Sequence, residues 1–299
     1  MPDEHPARVR SPLACAMAEP YLRWYFKRNF HAVRIARDGL PAVVPGRSVI
    51  VCSNHPSWWD PALFALLTRM LFPGRAGYGP MDADALGKYR VLRRIGVFGI
   101  EAGPRGAARF LRIGLDLLAD PATLLWITAE GAFTDPRVRP VRLRPGIAHL
   151  ARRTNAVILP LAIELPFWNE RKPEALVRFG PPVNMQEAPL PPERGERLGE
   201  GGAPAKASTA RASPLTPTLS PARGGEGECS TVAVWTAAFE QALTACMDAL
   251  AAAAMSRDPA RFTTLLQGET GVGGIYDLWR RAAAWGSGRR FDPSHGGEA

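Results

Sequence analysis

From residue 47 to about residue 180, short apolar runs alternate with longer stretches of helical spacing. The runs at 48–53, 76–80, 96–101, 123–128, 157–163 and 175–179 read as buried strands. Segments 60–72, 84–94, 105–119 and 145–154 repeat their apolar residues with the period of a helix. Strands separated by helices of about ten to fifteen residues predict an α/β fold. The expected core is a mixed, mostly parallel sheet flanked by helices, whose ligands bind beyond the carboxyl ends of the strands.

The flanks follow other rules. Residues 12–37 read as a mostly helical segment with Tyr21, Trp24, Tyr25, Phe26 and Phe30 interleaved with Arg23, Lys27, Arg28, Arg34 and Arg37. Rings and cations so mixed suit a helix lying at a lipid interface, and equally a helix whose aromatics pack on the domain behind it. Residues 187–230, rich in Pro, Gly, Ser, Thr, Glu and Arg, show no periodicity and read as a disordered low-complexity insertion. Its halves, "PLPPERGERLGEGG" and "SPLTPTLSPARGGEGE", resemble translated arms of an inverted DNA repeat. An Ala-rich helix at 231–255 follows, then "IYDLWRRAAAW", an amphipathic helix expected to dock on the core or a membrane. "GETGVGG" lacks a following GK[ST] and reads as a helix-flanking turn. The expected organisation is therefore a 1–40 N-terminal amphipathic segment, a 41–186 α/β domain, the 187–230 insertion and a 231–299 helical extension.

Composition narrows the setting. The 299 residues, 46% of them apolar, are enough for a substantial core. Lys and Arg number 37 against 28 Asp and Glu, a net charge of +9 that favours an anionic partner such as a membrane surface or a phosphorylated co-substrate. Four scattered cysteines fit reduced thiols rather than a disulfide framework or a zinc site. No HExxH spacing joins His5, His31, His55, His149 and His295, so no metal is expected, and no nucleic-acid module is visible. The most apolar run, "AVILPLAIELPFW", is broken by Pro160 and Glu164 and reads as a strand, not a bilayer span. The N-terminus lacks the layout of a signal peptide. These features lead us to expect a peripheral protein on the cytoplasmic face of a membrane.

The candidate chemistry lies in "NHPSWWD". Strand 48–53 ends at Asn54-His55, and Asp60-Pro61 has the residues of a helix start. Positions five apart point about 140° apart on one intact helix, so a pair at this spacing must be joined by a turn. Such a turn can bring Asp60 to one ring nitrogen of His55 and leave the other as a base. The plainer alternative is a helix cap beside a polar turn residue.

"NHPSWWD" resembles the N-H-x4-D motif of the glycerolipid acyltransferase family, the lysophosphatidic acid acyltransferase type. Three further blocks of that family have counterparts here in the same order, over roughly residues 20–180. "GVFGIEAGPRGAAR" matches the second block, with Glu101, Arg105 and Arg109 in the corresponding region. "AEGAFTDPR" matches the third in Glu130 and Gly131, but Ala132 and Phe133 replace the threonine and arginine of E-G-T-R. "VILPLAIE", centred on Pro160, matches the fourth. The resemblance implies acyl transfer from acyl-CoA or acyl-carrier protein, used as co-substrate without a further cofactor, to a hydroxyl of a lipid acceptor. His55 would be the base and Asp60 its orienting partner. Asn54, Arg105, Arg109, Glu130, Gly131 and Pro160 would belong to the substrate-binding set.

The missing arginine bears on the acceptor, because the family's arginine is associated with the acceptor phosphate. Either Arg137, Arg139 or Arg142 substitutes from downstream, or the acceptor is not a phosphorylated glycerol, which admits glycolipids, glycosylated isoprenoids or other hydroxylated lipids. Arg137, Arg139, Arg142, Arg144, Arg152 and Arg153 form a basic cluster, of which Arg137 and Arg139 are the selected phosphate ligands. Trp58 and Trp59 are assigned to an acyl groove or the lipid interface, with core packing equally open for one of them. An oxyanion donor is sought near Gly131 or in the 54–57 turn. The rival function is a non-catalytic lipid-binding or membrane-scaffolding protein on the same fold.

Overall fold

The computed structural model describes residues 4–42, 45–183, 225–270, 279 and 282–287. The helices are α1 (Pro6–Val9), α2 (Pro12–Asn29), α3 (Asp60–Leu71), α4 (Ala83–Lys88), α5 (Pro104–Leu118), α6 (Gly146–Arg153) and α7 (Gly225–Met255). The strands are β1 (Ala32–Ala36), β2 (Val49–Ser53), β3 (Ala76–Asp82), β4 (Val97–Ile100), β5 (Thr123–Thr128), β6 (Val157–Glu164), β7 (Glu174–Phe179) and β8 (Phe262–Gln267). They form one sheet in the order β4-β3-β5-β2-β6-β7-β1-β8. Pairing is parallel except at β6–β7 and β1–β8, giving the mixed, mostly parallel α/β sheet expected from the sequence.

Alternate residues of the central strands feed two separate cores. Val49 and Val51 of β2, with Leu124 and Trp126 of β5, meet Leu63, Phe64, Leu66 and Leu67 of α3 and Phe26 of α2. Ile50 and Cys52, with Leu125 and Ile127, face α5, α6 and α7 on the other side. Helices on both faces explain why the strands read as unbroken apolar runs rather than alternating ones. Sequestration also pushes the Cys52 thiol up to about 12, chiefly through loss of solvent, so it is a packing residue and no nucleophile.

Three expectations change. Residues 32–36 are not the end of a helix: α2 stops at Asn29, and β1 lies between β7 and β8. All five β1 residues are buried, and Arg34 is tolerated there because Glu174 at 2.9 Å and the Thr264 hydroxyl at 2.7 Å satisfy its guanidinium. Arg34 therefore faces no lipid phosphate. Segment 84–94 divides into α4 and a 3-10 turn, Arg90–Ile95, closed by Gly96 in the left-handed region at φ 104°. Finally, the 231–299 segment, expected to be helical, contains a strand, β8, among its described residues. Trp235, Phe239, Leu243 and Leu250 of α7 are buried in the second core, and β8 closes the sheet edge. Residues 187–224 of the predicted insertion, the glycines after Thr270 and most of "IYDLWRRAAAW" lie outside the described residues, whereas 225–230, also expected to be disordered, already belong to α7.

Pro160 also moves out of the binding set. It lies in β6, opposite Cys52 of β2, and its carbonyl accepts the Gly180 N–H at 2.9 Å. A proline in a central strand lacks a donor. At this position its ring packs against Gly180, where an added Cβ would come within 3.3 Å.

Candidate active site

The site forms where β2 ends beside β5 and β6. Asn54 is 1% exposed, and its side-chain amide clamps the β6 backbone: Nδ2 donates to the Ile163 carbonyl at 3.0 Å, and Oδ1 accepts the Ile163 N–H at 2.9 Å. This double bond to a strand makes Asn54 a fixing point of the turn and not a substrate ligand. The backbone of His55 is held equally firmly. Its N–H donates to Glu130 Oε2 at 2.9 Å, and its carbonyl accepts the Thr134 N–H at 3.0 Å. Glu130 thus ties the turn after β2 to the turn after β5, and burial pushes its carboxyl up while the His55 amide draws it back.

His55 Nδ1 and Asp60 Oδ2 are 2.7 Å apart, as the sequence predicts for a turn that doubles back. Asp60 is the first residue of α3, with Trp59 in the cap position and Pro61 following. Its Oδ2 also accepts the Ser57 N–H at 3.2 Å, so the carboxylate is fixed from two sides. Asp60 is fully buried, whereas the His55 side chain remains 17% exposed. Burial pushes the Asp60 carboxyl up, and the His55 hydrogen bond and charge partly reverse this. Among the described residues nothing hydrogen-bonds His55 Nε2, which leaves that nitrogen for an incoming group. A neutral imidazole donating from Nδ1 to Asp60 carries its lone pair on Nε2, the form required of a base.

The remaining selected residues divide sharply. Trp59 is enclosed by Tyr25, Phe26 and Phe30 at ring-centroid distances of 4.9, 5.6 and 4.9 Å, so it packs α2 onto the turn. Trp58 is 58% exposed and is the indole left at the surface. Arg105 and Arg109 lie in the first turns of α5. Arg137 forms a two-pronged pair with Asp135 at 2.9 and 2.7 Å. Arg139 gives its guanidinium to Asp248 of α7 at 2.6 and 3.1 Å and to the carbonyls of Pro136 and Val138 at 2.8 and 2.9 Å. It anchors the 130–145 loop to α7 and is no open phosphate ligand. The proposed oxyanion donors are committed as well: the Gly131 N–H binds the Thr128 carbonyl at 3.0 Å, and the Ser57 N–H binds Asp60.

Gly131 has a different importance. Its φ is +72°, and an added Cβ would lie 2.2 Å from Arg144 Nε. Arg144 folds across this glycine, with its N–H on the Ala129 carbonyl at 2.8 Å and Nη2 on the Gly131 carbonyl at 3.3 Å. Gly131→Ala is expected to cost about 1–2 kcal/mol from the left-handed backbone alone, and to displace Arg144. A thermal melt measures the first effect; an unchanged melting temperature would show that the turn relaxes freely.

Two groups were not selected as site residues from sequence. Phe133 lies on the dyad, its ring centroid 4.3 Å from that of His55, and it remains 62% exposed. Its position two residues after Gly131 was the available signal. Glu164 ends β6 in the field of Arg137, Arg139 and Asp135, and burial pushes its carboxyl up. Its neighbour Ile163, which carries the Asn54 clamp, contributes only backbone atoms and so leaves no trace in side-chain identity.

The geometry can be set beside known proteins. No curated protein matches the chain. Among solved structures it is similar to the 1-acyl-sn-glycerophosphate (LPA) acyltransferase PlsC from Thermotoga maritima. That likeness has 18% identity, covers 58% of this chain and 70% of that one, and gives a TM-score of 0.41. It is too distant to transfer residue roles. The family model described as Acyltransferase matches residues 27–164, a span running from the end of α2 to the end of β6 and including His55, Asp60 and Glu130. Over that span the chain is similar to the acyltransferase family.

Proposed function

We propose that the enzyme transfers a fatty acyl group from a thioester, acyl-CoA or acyl-carrier protein, to a hydroxyl of a lipid acceptor, with His55 as general base. The observation that carries this reading is the 2.7 Å contact from His55 Nδ1 to buried Asp60, with Nε2 left unoccupied by described residues. In the reaction Nε2 takes the acceptor's hydroxyl proton as its oxygen attacks the thioester carbonyl. A carbon–oxygen bond forms, the carbonyl electrons move to oxygen, and their return expels the thiolate. The proton on His55 then passes to sulfur, giving ester, thiol and a neutral histidine. Asp60 fixes the tautomer and stabilises the transient imidazolium. A thioester has a good leaving group, so neither a metal nor an enzyme nucleophile is needed.

The site is placed against a membrane surface in this reading. Leu13, Met17, Tyr21 and Trp24 are each more than half exposed and recur every three or four residues along α2. Arg28 lies over the Trp24 ring at 5.8 Å. Apolar side chains flanked by cations match the headgroup boundary. The aromatic contacts run from Tyr21 through Tyr25 and Trp59 to Trp58, linking this stripe to the His55 turn. Among the described residues no helix is long and apolar enough to cross a membrane.

The test is thiol release from acyl-CoA, and separately from acyl-carrier protein, by the full chain in detergent with hydroxylated lipid acceptors. Acceptor-dependent release with formation of the acylated lipid supports the reading. Lipid binding without thiol release from either donor would replace it with a scaffolding role.

A further inference from the structure

We propose that Phe133 forms the acceptor wall of the site, and that the acceptor presents its hydroxyl from an uncharged ring such as a sugar rather than from a phosphomonoester. This rests on the acyl-transfer reading above and specifies its acceptor. The Phe133 ring lies 4.3 Å from the imidazole, tilted by 37°, with most of its surface open. A group that reaches the imidazole arrives beside that ring. An aromatic face attracts polarised C–H groups, which line one face of a sugar ring, and offers nothing to a dianion.

The surrounding charges point the same way. Arg137 is neutralised by Asp135 and Arg139 by Asp248. Arg142 lies 3.8 Å from Glu240 of α7. Arg144 folds onto Gly131, where it supports the turn. Asp60 and Glu130 meet His55 directly, and Glu164 lies in the field of Arg137 and Arg139. A phosphomonoester brought to His55 would meet these carboxylates, while Arg137 and Arg139 are paired with Asp135 and Asp248. An uncharged acceptor meets no such repulsion, and its hydroxyls can donate to the same carboxylates.

The experiment compares three acceptors with palmitoyl-CoA as donor: dodecyl glucoside, 1-monoacylglycerol and lysophosphatidic acid. It uses the full-length protein, its Phe133→Ala, Phe133→Leu and Phe133→Arg variants, and His55→Ala. Acyl transfer to dodecyl glucoside is expected to exceed transfer to lysophosphatidic acid. Phe133→Ala should raise KM for the glucoside by about tenfold, the size of one lost aromatic contact, with kcat changed less. Phe133→Leu should fall between, and Phe133→Arg should shift preference towards lysophosphatidic acid. Because Phe133 is exposed, its removal leaves no core cavity; a circular-dichroism melt checks this. Lysophosphatidic acid as the best acceptor of the unaltered protein would overturn the proposal while leaving acyl transfer standing. So would a Phe133→Ala variant that lowers kcat equally for every acceptor at unchanged KM, because the ring would then only support the imidazole. Acyl transfer undiminished in His55→Ala, or absent with every acceptor and both kinds of donor, would overturn the underlying reading as well.

Discussion

His55→Ala is expected to lower acceptor-dependent thiol release by about 10²–10⁴-fold, the range supplied by a positioned general base. The reason is local. Within the described site, His55 joins a fixed carboxylate on one nitrogen to an unoccupied second nitrogen. The backbone bonds of His55 to Glu130 and Thr134 do not involve its ring, so the turn should survive substitution. Alanine does leave Asp60 buried without its ring partner, which on its own costs stability. His55→Gln is the appropriate companion, since its amide can donate to Asp60 without acting as a base. Both variants should show this loss, and His55→Gln should melt closer to the unaltered protein. Retention of more than about a tenth of the rate in either would remove His55 as the base.

Asp60→Asn separates catalysis from stability. An asparagine keeps the shape and can still accept from Ser57, but it cannot hold an imidazolium electrostatically and can favour the wrong tautomer. Loss of activity on the order of 10²–10⁴-fold is expected. Stability should respond differently. Burial pushes the Asp60 carboxyl above its ordinary value, so the folded state holds the proton more tightly than the unfolded chain. Stability linked to this group is then full below the unfolded value and is lost as pH rises through the folded one. At neutral pH the unaltered protein carries that cost, and Asp60→Asn removes it. Its melting temperature should be unchanged or higher, and its melts should depend less on pH across the acid range. A large fall in melting temperature at neutral pH would make Asp60 chiefly a structural group, held by its place at the start of α3.

These tests also separate what was legible in the chain from what was not. "VIVCSNHPSWWD" carried the strand, the turn and the dyad together, because every determinant lies within a dozen residues: a β-branched run, a proline-bearing turn and a helix start. The arginines were not legible in that way. Arg137 and Arg139 stand beside the third block and so looked like phosphate ligands. Asp135 is local, but Asp248 is more than a hundred positions away and reaches Arg139 only because α7 packs on the sheet. Asn54 and Pro160 share this fate: each stands in a recognisable motif, yet each is used by a neighbouring strand. β1 was hidden for a related reason. Five residues joined to a helix carry too little pattern of their own, and only pairing with β7 and β8 makes them a strand.

The sequence by itself determined the alternating strands and helices, the two-sided sheet and the His55–Asp60 pair. Their causes are periodicity, turn chemistry and short-range capping, which act between residues close along the chain. Only the tertiary structure decided which cations remain available, which tryptophan is exposed, and that Phe133 rather than an arginine lies against His55. Those outcomes depend on contacts between distant segments, where a charge or a ring takes its role from the partner that packing brings to it.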